Sequence, residues 1–209
     1  MAFLELYRSK LKHNFNFLND FLEAENKEWA VVTKLLCGNK AYLQELINLG
    51  VTEFCDSRVS NLRTIKQLAP HSQTVYIKPP ARRSIKSIVR YADVSFNTEL
   101  DTIERLSNEA LHQGKVHKVI VMIEMGDLRE GVMGEDLLSF YGKLLELKGV
   151  SIVGIGANIN CLSGVLPTQD KYIQLSLYKQ LIEAKFDIQI PWITGGTSIT
   201  LPLLWRKQI

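Results

Sequence analysis

Short apolar, β-branched segments alternate with stretches of helical periodicity, and this alternation constrains the fold more than any other feature of the chain. Seven such segments occur, at residues 29–33, 51–55, 74–77, 93–96, 116–123, 150–155 and 188–193. They predict parallel strands, and the stretches between them predict crossover helices. This order is typical of an α/β fold, either a doubly wound open sheet or a (β/α) barrel. Seven units without an obvious nucleotide fingerprint favour the barrel.

Four of the intervening stretches repeat apolar residues every three or four positions, so each is expected to bury one helix face. Their residues are Val59, Leu62, Ile65 and Leu68; Ile85, Ile88, Val89 and Ala92; Leu137, Leu138, Tyr141, Leu144 and Leu145; and Tyr172, Ile173, Leu177, Leu181 and Ile182. Gly50, Gly114 and Gly149 each follow a helical stretch, where positive φ ends a helix at little cost. A short strand over residues 3–7 and a helix over about residues 10–25 are expected at the start. No eighth strand is evident, so we predict one incomplete barrel domain over residues 1–209.

Composition excludes several function classes. The chain has 25 basic and 22 acidic residues, and no basic run is longer than the pair Arg82-Arg83. Binding to nucleic acid or to a membrane surface is therefore not expected. Cys37, Cys55 and Cys161 are widely spaced and lack a metal-ligand pattern, which predicts reduced thiols and no zinc site. The first residues do not resemble a secretion signal, and no apolar run approaches the ~20 residues of a membrane span, so we expect a cytoplasmic protein.

Lys34 is the first candidate for chemistry. It ends the apolar run Ala30-Val31-Val32-Thr33, at the carboxyl end of a predicted barrel strand, where active sites of such barrels lie. An amine in a partly desolvated pocket loses its proton readily and can form an imine with an aldehyde cofactor. The alternative is a lysine at a strand end that extends its ammonium group into solvent.

Three further candidates follow the later strands. Gly195, Gly196, Thr197 and Ser198 form a sequence suited to a turn whose N–H groups surround a phosphate, although an ordinary glycine-rich connection has the same composition.

Arg129 follows the fifth strand within Gly126–Gly131, and its guanidinium can bind a phenolate oxygen or a carboxylate. A solvated loop with a local Arg/Glu pair is the alternative. Asn158 follows the sixth strand within Gly154–Cys161, where small residues let a flat ring approach the backbone, or where Asn and Gly simply form a turn.

In order along the chain, these motifs resemble the N-terminal barrel of the alanine racemase superfamily, the fold type III pyridoxal 5′-phosphate (PLP) enzymes, and most of all its ornithine racemase branch. The resemblance extends from Phe3 to Leu204. Its segments are Val32–Gly38, Asp56–Arg58, Tyr91–Leu100, Gly126–Val132, Gly154–Asn158 and Ile193–Pro202.

The resemblance implies a PLP-dependent amino-acid racemase. Lys34 would then be the Schiff-base residue and would abstract or return the α-proton, and Arg129 would lie near the phenolic oxygen of the cofactor. Asn158, Gly195, Gly196, Thr197 and Ser198 would help to bind the cofactor. The implied substrate is an amino acid, a basic one such as ornithine or else alanine, and the implied assembly is a homodimer.

The sequence also departs from the family. Family members continue into an eighth strand with an Arg-Ile-Gly-like motif and into a β-rich C-terminal domain that supplies a tyrosine as second catalytic base, and neither is present in these 209 residues. Two alternatives to a racemase therefore stay open. One is a non-catalytic PLP-binding protein similar to the single-domain PLP homeostasis family, and the other is an inactive truncated racemase that binds no cofactor.

Overall fold

The structure is a computed structural model that describes residues 5–209 in two compact units. The N-terminal unit extends to Ile77, and the C-terminal unit comprises Lys78–Ile209. The strand predicted over residues 3–7 lies in part on residues 1–4, outside the described residues, and residues 5–7 are not in a strand. That residues 1–209 form a single domain stays a prediction.

Three helices and three parallel strands alternate in residues 5–77, the described part of the N-terminal unit. In chain order they are α1 (Arg8–Ala24), β1 (Val31–Val32), α2 (Lys40–Asn48), β2 (Glu53–Asp56), α3 (Val59–Leu68) and β3 (Gln73–Tyr76). Val31 lies opposite Phe54 of β2, and Phe54 lies opposite Thr74 of β3. Because the strands are parallel, their carboxyl ends meet at one edge of this unit, and the segments that follow β1 and β2 are neighbours.

The core of this unit comes from the predicted face of α3 and from residues of α2 and β2. Leu62 and Ile65 of α3 are fully buried, as are Leu43 of α2 and Phe54 of β2. Burial of a side chain of this size contributes about 1.5–3 kcal/mol. Helix α2, which the apolar pattern did not predict, is capped by Asn39, whose side chain accepts two backbone N–H groups of the first turn at 3.0 and 3.3 Å.

Five helices and four parallel strands alternate in the C-terminal unit. They are α4 (Ile85–Tyr91), β4 (Val94–Asn97), α5 (Leu100–His112), β5 (His117–Met122), α6 (Leu137–Leu144), β6 (Val150–Gly156), α7 (Gln169–Phe186), β7 (Trp192–Thr194) and α8 (Leu201–Trp205). The four strands pair in chain order. Val119 lies opposite Ile152 and Ile120 opposite Gly154, so Val153 is an extra residue in β6. A buried cluster including Ile103, Val119, Tyr141, Ile155 and Leu175 forms the core.

His117, at the start of β5, is a buried polar group in this unit. Its Nε2 lies 2.9 Å from the Ser95 hydroxyl, which also accepts the Asn97 amide at 3.0 Å. Burial and the charge of Lys115 lower the pKa of His117 to about 4, although Asp93 acts in the opposite direction. His117 is therefore neutral near pH 7.

The seven predicted strands are confirmed, with altered bounds. β7 begins at Trp192 rather than Ile188, because the N–H of Ile190 donates to the Glu183 side chain at 2.7 Å and Pro191 has no N–H for a ladder. Residues 5–209 contain no eighth strand. No helix in the same range combines the length and the apolar character that crossing a membrane requires.

Three sequence predictions are wrong in part. The first concerns Leu145, which was expected on the buried face of α6 but is exposed. Ile173, Leu177 and Leu181 were expected to be buried by α7, but all three are exposed, and the buried residues of that helix are Leu175 and Ile182. Both faces of α7 carry apolar residues, so the periodicity did not identify the core-facing side. The third is Gly149, which does not adopt positive φ, unlike Gly50 and Gly114. A Cβ at Gly149 would lie 2.0 Å from the Ser107 carbonyl oxygen, so close packing requires this glycine.

Candidate functional site

Lys34 lies in a short 3₁₀ turn, Lys34–Leu36, directly after β1 in the N-terminal unit. Its side chain is exposed, and within the described residues it has no hydrogen-bond or ion-pair partner. The expectation of a partly desolvated amine is therefore wrong for Lys34 in this structure. What the structure fixes is the backbone on both sides of this residue.

Asp56, the last residue of β2, anchors the residue before Lys34. Asp56 is fully buried and its carboxylate accepts the Thr33 hydroxyl at 2.8 Å and the Arg58 N–H at 2.9 Å. The side-chain amide of Asn61 lies 3.1 Å from each carboxylate oxygen. Thr33 and Asn61 are buried as well. Both carboxylate oxygens of Asp56 therefore accept hydrogen bonds, as a buried carboxylate requires.

The residues after Lys34 form a tight left-handed turn. Cys37 has φ 49° and Gly38 has φ 73°, the region that glycine occupies most readily. The N–H of Cys37 donates to the Lys34 carbonyl at 3.3 Å. A Cβ at Gly38 would lie 2.8 Å from the Asn61 side-chain oxygen, so only a glycine fits there without displacing Asn61.

In the C-terminal unit, Asp127 joins the loop after β5 to the loop after β6. Asp127 is buried, and its carboxylate accepts the N–H groups of Cys161, Leu162 and Ser163 at 3.0–3.3 Å. The Ser163 hydroxyl donates to the Asp127 carbonyl at 2.6 Å. One carboxylate thereby holds three consecutive peptide groups at the carboxyl edge of the parallel strands.

Glu130 brings two predicted site residues together. Its carboxylate pairs with Arg129 Nε at 2.8 Å and accepts a hydrogen bond from the Asn158 amide. The local Arg/Glu pair is therefore present, as the alternative interpretation predicted. The terminal guanidinium nitrogens of Arg129 have no partner within the described residues, so the side chain retains donors for an anion.

Gly131 fixes the end of the same loop. The residue has φ 155°, and a Cβ there would lie 2.2 Å from the Glu124 backbone nitrogen. The next residue, Val132, exchanges backbone hydrogen bonds with Met122 and Glu124 at 2.8 and 3.0 Å. The loop that carries Arg129 is consequently held at both ends by backbone contacts that only glycine allows.

The segment Gly195–Ser198 follows β7 and is anchored by Tyr172 of α7. The Tyr172 hydroxyl donates to the Gly195 carbonyl at 3.0 Å and shares a hydrogen bond of 2.7 Å with the Thr200 hydroxyl. Burial raises the pKa of Tyr172, although its hydrogen bond with Thr200 acts in the opposite direction, so the group stays a phenol. Thr200 Oγ1 also accepts the Thr197 N–H at 3.1 Å.

The backbone of this segment offers open donors. Gly196 and Ser198 are exposed, and their N–H groups have no protein acceptor within the described residues. A Cβ at Gly196 would meet nothing within 4 Å. Free N–H groups beside open space suit an anion such as phosphate. Gly156 of β6 lies opposite Thr194 of β7, so this segment and the one containing Asn158 leave their strands side by side.

Sequence reasoning did not assign roles to the anchoring residues. Asp56, Asp127 and Glu130 were quoted only as parts of resembling segments, and Tyr172 only as part of an apolar helix face. A carboxylate directly after a buried strand is the signal that could have identified Asp56, because an acidic residue there needs donors.

Two predicted absences concern cysteine and metal. All three cysteines are free, and burial raises the pKa of the Cys55 thiol to about 12, so this thiol stays protonated. Residues 5–209 contain no group of three His, Cys, Asp or Glu side chains placed to hold a metal ion.

Relatives among characterised proteins are amino-acid racemases. The chain is 34% identical over 202 residues to the ornithine racemase of Acetoanaerobium sticklandii, covering 96% of this chain and 57% of that protein. It is 26% identical to the lysine racemase of Thermotoga maritima, covering 85% of this chain and 49% of that protein. The chain thus spans about half the length of these relatives.

Solved structures show the same fold. PipY of Synechococcus elongatus PCC7942, solved without PLP, superimposes with a TM-score of 0.80 at 17% identity, covering 94% of both chains. The structure of PipY with PLP bound gives a TM-score of 0.74, covering 86% of both chains. The predicted fold class, an alanine racemase-type (β/α) barrel that lacks an eighth strand, is confirmed for the described residues.

The family comparison covers nearly the whole chain. The family described as alanine racemase, N-terminal domain, matches residues 7–204, which include the segments after every strand from β1 to β7. The chain therefore belongs to the alanine racemase N-terminal domain family.

Proposed function

We propose that this chain is the cofactor-binding barrel of a PLP-dependent amino-acid racemase. The observation that carries the proposal is the 34% identity to an ornithine racemase across 96% of the chain. A lysine racemase among the relatives also supports a basic amino acid such as ornithine as the substrate, with alanine as the alternative from the alanine racemases. PLP is the cofactor, supported by the family and by the similar fold of PipY with PLP bound.

Lys34 is the residue we assign to covalent attachment of PLP and to proton transfer on one face of the substrate. Its exposed, unpaired amine is free to react, and the turn that carries it is fixed by Asp56 and Gly38. Bound PLP would supply an electron sink that stabilises the carbanion left when the α-proton is removed. Racemisation also needs an acid/base on the opposite face, because a proton returned by Lys34 restores the original stereoisomer.

Arg129, Asn158 and the segment Gly195–Ser198 are assigned to binding of the cofactor. The open N–H groups of Gly196 and Ser198 suit the phosphate, and the free guanidinium nitrogens of Arg129 suit a phenolate oxygen. Thr197 is assigned through its place in the same segment, and Asn158 through its contact with Glu130. We further propose a homodimer, as the family resemblance implies, and a location in the cytoplasm.

A second candidate function is PLP binding without racemisation. The observation that favours it is the structure of PipY with PLP bound, which superimposes on this chain with a TM-score of 0.74. PLP binding and stereochemical exchange therefore have to be measured separately.

The first experiment is borohydride reduction of the protein with added PLP, followed by peptide mapping, together with assays on L- and D-ornithine and alanine. We expect a pyridoxyl group on Lys34 and none in Lys34→Ala. Gly196→Ala should keep its stability, since its Cβ has open space, but should weaken PLP binding about tenfold by obstructing the N–H groups. Modification of other lysines alone would overturn the assignment of Lys34. Trapping on Lys34 without exchange of any amino acid would favour the second candidate.

A further inference from the structure

The contacts of Asp56 reach the segment that carries Lys34 as well as the end of β2. The residues before and after Lys34 both contact one pair of buried side chains, Asp56 and Asn61. On one side, Asp56 accepts the hydroxyl of Thr33, the residue directly before Lys34, at 2.8 Å. On the other, Gly38 approaches the side-chain oxygen of Asn61 so closely that a Cβ would lie 2.8 Å from it.

The side chains of Asp56 and Asn61 are held in place by hydrogen bonds. Asn61 donates to both carboxylate oxygens of Asp56 at 3.1 Å, and Arg58 donates its N–H to the same carboxylate at 2.9 Å. Asp56, Asn61 and Thr33 are all nearly or fully buried, so water does not compete for these bonds. Thr33 is further fixed by its N–H, which donates to the Cys55 carbonyl at 2.9 Å.

The side chain of Lys34 is exposed, unlike the side chains that fix its backbone. Its flanking backbone is fixed by buried contacts, but its side chain is exposed and has no partner within the described residues. A fixed stem with a free amine is the arrangement that a group needs when it must form and break a covalent bond at one position.

We infer that Asp56, with Asn61, is the positioning residue of Lys34, acting through Thr33 on one side and Gly38 on the other. This inference rests on the proposed role of Lys34. Asp56 contacts neither Lys34 nor, by this argument, the cofactor. It would set the position of the Lys34 amine relative to the aldehyde of bound PLP, with which the amine would form a C=N bond and release water.

The test uses two variants of Thr33 that differ in one group. Thr33→Val keeps the shape of the side chain but removes the hydroxyl that donates to Asp56, whereas Thr33→Ser keeps the hydroxyl. For each protein we would measure the dissociation constant of PLP by fluorescence. The rate at which borohydride-trapped pyridoxyl-Lys34 accumulates at saturating PLP would be measured by mass spectrometry.

We expect Thr33→Val to slow trapping on Lys34 about tenfold with little change in the PLP dissociation constant, and Thr33→Ser to stay within about twofold of the original protein. A purely structural role would leave the trapping rate of the folded fraction unchanged, and that result would overturn the inference. If the original protein itself fails to trap PLP on Lys34, the proposed function fails rather than this inference.

Stability is the control for this comparison. Urea unfolding of each variant gives the folded fraction under the trapping conditions, and trapping rates are divided by it. Should Thr33→Val not fold, Asn61→Ala tests the other side, because it removes the contact with Gly38 and leaves the Thr33 bond to Asp56 in place. Equal trapping rates in folded Asn61→Ala and the original protein would also count against positioning.

Discussion

Asp56 and Asp127 are both buried carboxylates near the carboxyl ends of parallel strands, yet they anchor the chain in different ways. Asp56, in the N-terminal unit, binds two side chains, those of Thr33 and Asn61, and one backbone N–H. Asp127, in the C-terminal unit, binds backbone N–H groups of three consecutive residues. The first anchor depends on which residues its partners are, whereas the second depends only on the path of the chain.

The difference separates what each loop tolerates. Substitution of a partner of Asp56 removes a donor, because the donors are a hydroxyl and an amide. Substitution of residues 161–163 leaves the peptide N–H groups in place, apart from the further bond made by the Ser163 hydroxyl. The loop after β6 can therefore change its side chains while its backbone stays fixed, and the segment around Lys34 cannot.

The largest effect is expected from removal of the two carboxylates. Asp56→Ala leaves the Asn61 amide unpaired in a buried environment and leaves the Thr33 hydroxyl with only its 3.3 Å bond to the Cys55 carbonyl. We expect it to lower the free energy of unfolding by about 4 kcal/mol. Asp127→Ala should lower it by about 2 kcal/mol, because residues 161–163 are exposed and water can reach their N–H groups. Urea unfolding monitored by circular dichroism measures both. Equal losses would remove the distinction between the two anchors.

A reversible effect, smaller than that of Asp56→Ala, is expected from acid, and it should fall on the C-terminal unit. The pKa of His117 is about 4 in the folded state and about 6.5 when unfolded, so the unfolded chain binds the proton more readily. The stability contributed by neutral His117 is present above pH 6.5 and is lost as the pH falls towards 4. The total is about 3 kcal/mol.

Hydrogen exchange measured from pH 7 to pH 4.5, corrected for the intrinsic rate, tests this pH dependence. Amides of β4 and β5 should lose more protection than those of β2 and β3. His117→Asn, which retains a polar side chain near Ser95, should flatten the pH dependence. An unchanged slope in that variant would show that other groups govern acid unfolding.

The smallest effect is expected at Cys161. Cys161→Ala should change the free energy of unfolding by less than about 0.5 kcal/mol, because Asp127 binds the backbone N–H and the side chain is exposed. The matched change in the N-terminal unit is Thr33→Val, whose loss should be several times larger. A large loss in Cys161→Ala would mean that the loop after β6 depends on its side chains after all.

Local periodicity was sufficient to predict the strands and most helix faces. Helix α3 was predicted from an apolar face that includes Leu62 and Ile65, and both residues are fully buried. The pattern was insufficient at α7, where Ile173 and Leu177 are as apolar as the buried Leu175 and the choice of face is made by tertiary contacts. Likewise, the close approach of Ser107 that requires Gly149 joins residues 42 positions apart and leaves no local signal.

The candidate site was predictable as a set of loops but not as a network. The order of β1 to β7 placed Lys34, Arg129, Asn158 and the Gly195 segment after strand ends. The anchors needed the structure, because the contacts of Asp56 with Thr33 and of Glu130 with Asn158 span 23 and 28 positions. The chemical roles of these residues stay predictions.

The close contact between Gly38 and Asn61 has a consequence for how this sequence can vary. Any side chain at position 38 meets the Asn61 oxygen and also carries the strain of positive φ. Replacement of Asn61 by a smaller residue leaves room for a side chain at position 38, but it removes the amide that donates to the buried carboxylate of Asp56. In a mutational library, few substitutions at positions 38 and 61 should therefore give a folded protein. Variants that survive at position 61 should be those that still donate a hydrogen bond and are no longer than asparagine.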